Sequence, residues 1–151
     1  AFTTEIGGEV YVRAGSFLGM VGMTNGEVRG NTARPADPDP SVIAKLGFDR
    51  QLNQVLRVRL TGSGYYTASS ASNTLYAGDR AGSRYNNVLE NSQSTESANF
   101  RSGMINPNYG HQLLAVMINP FVKYQGLEVF GVIEQADGRA ATETERRTWN
   151  Q

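Results

Sequence analysis

The residues with chemistry to offer are few, and their spacing withholds most of it. His111 is the single histidine and cysteine is absent. A transition-metal site would therefore need a carboxylate cluster, and none is visible in the spacing. No nucleophile elbow or Ser-His-Asp signature can be assembled. His111 opens a β-rich run and reads as a hydrogen-bonding residue, not a catalyst or ligand. Gly62-Ser63-Gly64 holds half of a dinucleotide fingerprint, but Thr67 stands where the third glycine belongs. A Ser- and Asn-rich stretch follows instead of the helix whose N-terminus would receive the pyrophosphate. Asp37 and Asp39 offer carboxylate oxygens to calcium, yet the spacing and glycine of a calcium-hand loop are missing. A rigid, solvated, Pro-rich loop is the plainer reading. Glu128 and Glu134 fall on one strand face, but six residues of strand span about 20 Å. Paired glycosidase carboxylates sit roughly 5–10 Å apart. The expectation is no enzyme, no cofactor and no metal.

The most distinctive segment is Gly78-Asp79-Arg80-Ala81-Gly82-Ser83-Arg84-Tyr85. Its glycines and opposite charges describe a loop stapled by its own ion pairs, Asp79 with Arg80 or Arg84. The sharper alternative folds this loop into a pore, where Arg80 and Arg84 narrow the passage and bias it toward anions.

Strands must carry these residues. Val42, Ala44, Leu46 and Phe48 alternate with Ile43, Lys45 and Gly47. Leu56, Val58, Leu60 and Tyr66 alternate with Arg57, Arg59, Thr61 and Ser63. Period two is the mark of a strand with two unlike faces, and the link over 50–53 is short enough for a hairpin. A second hairpin runs from His111 to Tyr124 and from Leu127 to Gln135. Its turn is Gln125-Gly126, with Gly126 expected to supply a positive φ. Pro120 inside that run predicts a bulge, a strand end or an edge position. Glu9 to Gly22 is β-rich and interrupted by Gly15 and Gly19, giving one strand or two. A polar stretch from Ala136 to Glu145 leads into a last strand near 146–151. Two long polar connections lie near 26–41, where three prolines forbid a ladder, and near 68–99.

The bulk numbers set limits. At 151 residues the chain is about one domain. The hydrophobic fraction of 39% is lean for a dry core, as is the mean hydropathy of -0.41. Fourteen basic and fourteen acidic side chains cancel, leaving no field to recruit nucleic acid. The most apolar run, Leu113 to Ile118, is far too short for a membrane helix. Residues 1–5 carry no basic or apolar signal region, so any signal peptide lies outside this stretch, and the chain stops in mid-phrase at Gln151, as a stretch of a longer protein would.

Periodicity leaves two all-β architectures open. A soluble antiparallel sandwich also alternates. Three details favour an antiparallel meander forming part of a transmembrane outer-membrane β-barrel, about six to eight strands of it. Arg57 and Arg59, with Lys45 across the hairpin, suit a wet lumen; the hydrophobic fraction is lean; long connections alternate with short turns. On this reading Lys45, Arg57, Arg59 and Lys123 line the polar face. Val42, Leu46, Leu56, Val58 and Leu60 meet lipid.

The stretch from Val42 to Gln151 resembles a family of outer-membrane porins from Bacteroidetes-type bacteria. The residues that carry the resemblance are 44–49 (Ala-Lys-Leu-Gly-Phe-Asp), 56–63 (Leu-Arg-Val-Arg-Leu-Thr-Gly-Ser) and 75–85. To these add 119–124 (Asn-Pro-Phe-Val-Lys-Tyr) and 126–131 (Gly-Leu-Glu-Val-Phe-Gly). The resemblance implies a barrel in the bacterial outer membrane and longer relatives with further strands. It says little about the solute; the function expected on the reading as a whole is passive diffusion of small polar solutes, with outer-membrane lipid and a homo-oligomer or membrane-complex partner around the chain. The alternatives are a sandwich module binding sugar or protein, with Tyr65, Tyr66 and Tyr76 stacked in a cleft, and a structural accessory of a surface complex.

Overall fold

The computed structural model describes residues 5–26, 39–70, 73, 75–76 and 107–151. They form one antiparallel sheet of eight strands: β1 (Gly7–Ala14), β2 (Phe17–Thr24), β3 (Ser41–Gln51), β4 (Leu56–Thr67), β5 (Gln112–Tyr124), β6 (Leu127–Phe130), β7 (Ile133–Arg139) and β8 (Arg147–Asn150). Neighbours in sequence are neighbours in space, with β6 and β7 lying end to end along β5. The sheet is not closed: β1 and β8 are its edges. No helix among the described residues is long and apolar enough to cross a membrane, which says nothing of strands.

Local chemistry places the turns. Gly15 adopts a φ of 58°, the left-handed conformation a two-residue hairpin needs, so Glu9 to Gly22 is two strands. Gly19 is no break; it lies within β2 opposite Val12 and Leu46. The β3–β4 turn falls at 52–55, two residues later than expected, because Asp49, Arg50 and Gln51 still pair with Arg59, Val58 and Arg57. Asn53 closes it, its Oδ1 accepting the N–H groups of Val55 and Leu56, both at 2.9 Å. In the β5–β6 turn Gln125, not Gly126, takes the left-handed conformation, with φ 52°. Its N–H donates to the carbonyl of Val55 in the adjacent turn at 2.8 Å, which anchors it there.

Pro120 occupies none of the three expected places. It sits inside β5, opposite Leu60 on one side, with Gly131 donating to its carbonyl at 2.9 Å on the other. The missing proline N–H interrupts that ladder, and this is what divides β6 from β7, since the register on either side of the gap is continuous. Gly131 fits the same place: a Cβ there would lie 3.1 Å from the proline ring. The stretch from Ala136 to Arg139, expected as loop, continues β7. Ala136 is buried against Ala115, and at Gly138 a Cβ would meet the Tyr109 side chain at 2.8 Å. Small residues let an overlying chain seat on the strand.

All three short turns (15–16, 52–55, 125–126) lie at one end of the sheet. The longer connections (25–40, 68–111, 140–146) lie at the other. Residues 27–38, most of 71–106 and therefore Asp37, Asp79, Arg80 and Arg84 fall outside the described residues.

The register gives two faces of opposite character. One carries Val10, Val12, Phe17, Val21, Leu46, Leu60, Val116, Ile118, Val122 and Val129, largely exposed; Leu46 is 73% and Val10 69% accessible. The other carries Arg13, Lys45, Asp49, Arg57, Arg59, Thr61, Ser63, Asn119, Lys123 and Glu128. The buried core is small and sits on the polar face toward the long-connection end: Tyr109, Leu113, Ala115 and Ala136, with Tyr65, Tyr76 and Trp149 against them.

Candidate functional site

The polar face is concave. A single trough of about 880 Å³ reaches from Arg13 on β1 across to Phe130 on β6. Lys45 lines it from β3 and Arg57, Arg59 and Thr61 from β4, each on the inward parity of its strand. Four cations line the trough against one carboxylate, Asp49. Arg57 binds that carboxylate through two hydrogen bonds, Nε at 2.8 Å and Nη2 at 2.5 Å. Beyond the trough on the same face, Lys123 donates to Glu128 at 2.6 Å. Both pairs are exposed to solvent, which screens them, so they add little to stability. Their effect is to spend two of the cations locally. Lys45, Arg59 and Arg13 have no carboxylate within salt-bridge distance among the described residues. The Arg59 guanidinium lies 4.8 Å over the Phe121 ring, a cation–π contact that holds the charge in one place.

The four residues expected on the polar face, Lys45, Arg57, Arg59 and Lys123, do share it; Arg57 and Lys123 bind carboxylates, while Arg59 stands opposite Asp49 without an ion pair and Lys45 has none within salt-bridge distance. Arg13 was missed. It follows a β-rich run next to Ala14-Gly15, and only the register of β1 on β2 and β3 brings it level with Gly47 and Thr61. Glu128 and Glu134 lie on this face as well. Gly62-Ser63-Gly64 is plain strand within β4, with no helix after it. Tyr65 and Tyr66 point to opposite faces, so they form no common cleft with Tyr76.

Toward the other end of the trough, the described part of the long β4–β5 connection folds back over the same face. Tyr76 donates its hydroxyl to Glu134 and meets Tyr109 and Trp149 edge-on, ring centres 6.1 and 6.0 Å apart. Burial, then the Glu134 carboxylate, push the Tyr76 hydroxyl well above its ordinary pKa. Tyr109, 3% exposed, is likewise raised by burial. Asn73 donates to the Tyr65 hydroxyl at 3.0 Å, which donates in turn to Glu5 at 3.1 Å. His111 holds the base of the connection, its Nδ1 3.2 Å from the Ser70 carbonyl oxygen. This is the hydrogen-bonding role its isolation implied. Among the described residues no group of three or more His, Cys, Asp or Glu is placed to hold a metal.

The apolar face spans most of each strand. On β3 it runs from Val42 to Phe48 and ends at Arg50; on β5 it runs from Leu114 to Tyr124. On the β6–β7 lane it runs from Leu127 to Ile133, with Gln135 and Asp137 beyond. The limit toward the long connections is level across Val42, Tyr66 and Leu114 and steps back about four residues, ~13 Å, at β7 alone. The limit toward the short turns moves once, from Phe48 on β3 to the level of Leu56 and Tyr124 on β4 and β5.

Comparison with known proteins returns no match to a family model, a curated protein or a solved structure. The functional reading therefore rests on the geometry.

Proposed function

We propose that the chain forms part of a transmembrane β-barrel of the bacterial outer membrane, working as a porin-like channel for passive diffusion of small polar solutes. The observation that carries this is a largely exposed apolar band on a sheet whose other face is charged and lines a trough. Strands of outer-membrane barrels are tilted by roughly 35–45°. On β4 and β5 the band reaches from Tyr66 to Tyr124. Ten residues at about 3.3 Å, tilted by ~40°, give a height of ~25 Å, that of the apolar belt of such barrels. Tyrosine at both limits suits the membrane–water interfaces.

Short turns at one end and long connections at the other fit periplasmic and extracellular sides. With β6 and β7 end to end the sheet is seven strand positions wide, and even eight make a barrel just wide enough for side chains, so a pore requires the free edges of β1 and β8 to be paired by further strands or by a partner. In the sandwich alternative, a second sheet covers the apolar face. The test is reconstitution of the full-length protein in planar bilayers and vesicles. Discrete conductance steps, with recovery from cells in the outer-membrane fraction as a form whose gel mobility shifts on boiling, support the channel. Recovery as a soluble periplasmic or secreted species would end the reading.

A further inference from the structure

We infer that the short-turn end of the trough is a binding site for small anions bearing phosphate or carboxylate groups, built by Arg13, Lys45 and Arg59. The inference deepens the channel reading and rests on it only for the solute's route. The argument begins with what each cation is doing. Arg57 is committed to Asp49 and Lys123 to Glu128. Arg13, Lys45 and Arg59 come from three different strands, line one concave volume of about 880 Å³, and have no carboxylate partner among the described residues. Four cations against the single Asp49 carboxylate leave an excess of positive charge in one hollow, and a mobile anion relieves the repulsion among them.

The surroundings supply the rest of a recognition site. Arg59 is backed by the Phe121 ring, so its donor edges are held in place before a ligand arrives. Thr61 and Ser16 hydroxyls and the Asn119 amide line the same volume and can donate to oxyanions. The register sets the scale. Lys45 and Arg13 are two strands and two residues apart, about 12 Å between backbones. Arg13 and Arg59 lie three strands apart at about 16 Å. Long side chains converging from these positions suit a ligand with two separated anionic groups better than a single halide. Asp49, bound by Arg57, is the one carboxylate in this volume; of the others on the face, Glu134 is bound to Tyr76, Glu5 to Thr24, and Glu9 accepts from Tyr11. The trough is therefore cationic at the short-turn end only.

Two measurements on the full-length protein test this. The first is titration calorimetry of detergent-solubilised protein with inorganic pyrophosphate, comparing wild type with K45Q/R59Q and with R50Q. Arg50 is a control of equal chemistry outside the trough. The expected result is saturable binding that weakens about tenfold or more in the double variant, from the loss of charge-assisted hydrogen bonds, and stays unchanged in R50Q. The second is the reversal potential under a KCl gradient across a bilayer. Chloride preference is expected in wild type and at least about a threefold lower preference in K45Q/R59Q. Absent pyrophosphate binding, equal binding in K45Q/R59Q, or cation preference in a conducting wild type would overturn the site. Pyrophosphate binding without any conductance would uphold the site and count against the channel.

Discussion

Ile118 lies near the middle of the apolar band on β5, between Leu114 and Tyr124, flanked by Gly62 and Ile133. It is 44% exposed on the sheet. If lipid covers this face, I118R places a guanidinium close to the bilayer midplane and costs about 2–4 kcal/mol of folding free energy. L127R, at the short-turn limit of the same band, costs about 0–1 kcal/mol. Alanine separates packing from charge: I118A gives up the outward part of the side chain, about 0.7–1.3 kcal/mol, taken as the exposed share of ~1.5–3 kcal/mol. If the face met water instead, both arginines would sit within about ±0.5 kcal/mol of wild type. The assay is reversible denaturant unfolding of the full-length protein in phospholipid vesicles, followed through Trp149, the one tryptophan. Equal costs at 118 and 127, or two near-zero costs, would refute the membrane assignment.

Three further expectations can be checked singly. Gly138→Ala puts a Cβ 2.5 Å from the Gln112 carbonyl oxygen and 2.8 Å from Tyr109. It should cost about 1–3 kcal/mol and shift Trp149 emission as the Tyr109–Tyr76–Trp149 packing loosens; an unchanged spectrum and midpoint would contradict that packing. Pro120→Ala restores the donor that the β5–β6 ladder lacks, so the new amide at 120 should be protected from hydrogen exchange; rapid exchange there would show that the gap has another cause. The third concerns pH. The Ala140 N–H, then Arg147, hold the Glu143 carboxyl below its ordinary value of 4.5. Its stabilisation of the 140–146 turn is therefore complete above pH 4.5 and is lost as pH falls through the lower folded value. Protection factors in that turn, referred to the intrinsic rate at each pH, should fall with acid in the wild type and be flat over the same range in E143Q.

Much of this was legible in the sequence because a barrel-like sheet writes its two faces as period two. The alternation in 42–48 and 56–63 placed Lys45, Arg57 and Arg59 opposite Leu46, Val58 and Leu60, and the register keeps them so. Three things were not legible. Which cations are neutralised depends on cross-strand neighbours, Asp49 beside Arg57 and Glu128 beside Lys123, and thus on register. Arg13 joins the trough only through two successive pairings that no local pattern encodes. The end of β7 looked like loop because its residues are small and polar, whereas their smallness is what lets Tyr109 pack on the strand. The reading of Pro120 failed for a related reason: the residue opposite its missing N–H is Gly131, which has no Cβ to meet the proline ring.

The central claim is that one face meets lipid and the other water. Cysteine is absent from the chain, so single cysteines along β4 each report one position. Spin labels at 58, 60, 61 and 63 in the full-length protein, reconstituted in vesicles, can be probed with oxygen and with a water-soluble nickel chelate. The account predicts that Val58 and Leu60 positions favour oxygen, while Thr61 and Ser63 positions favour the chelate. Labels at 58 and 60 that meet the chelate freely, or are shielded from both reagents, would contradict it.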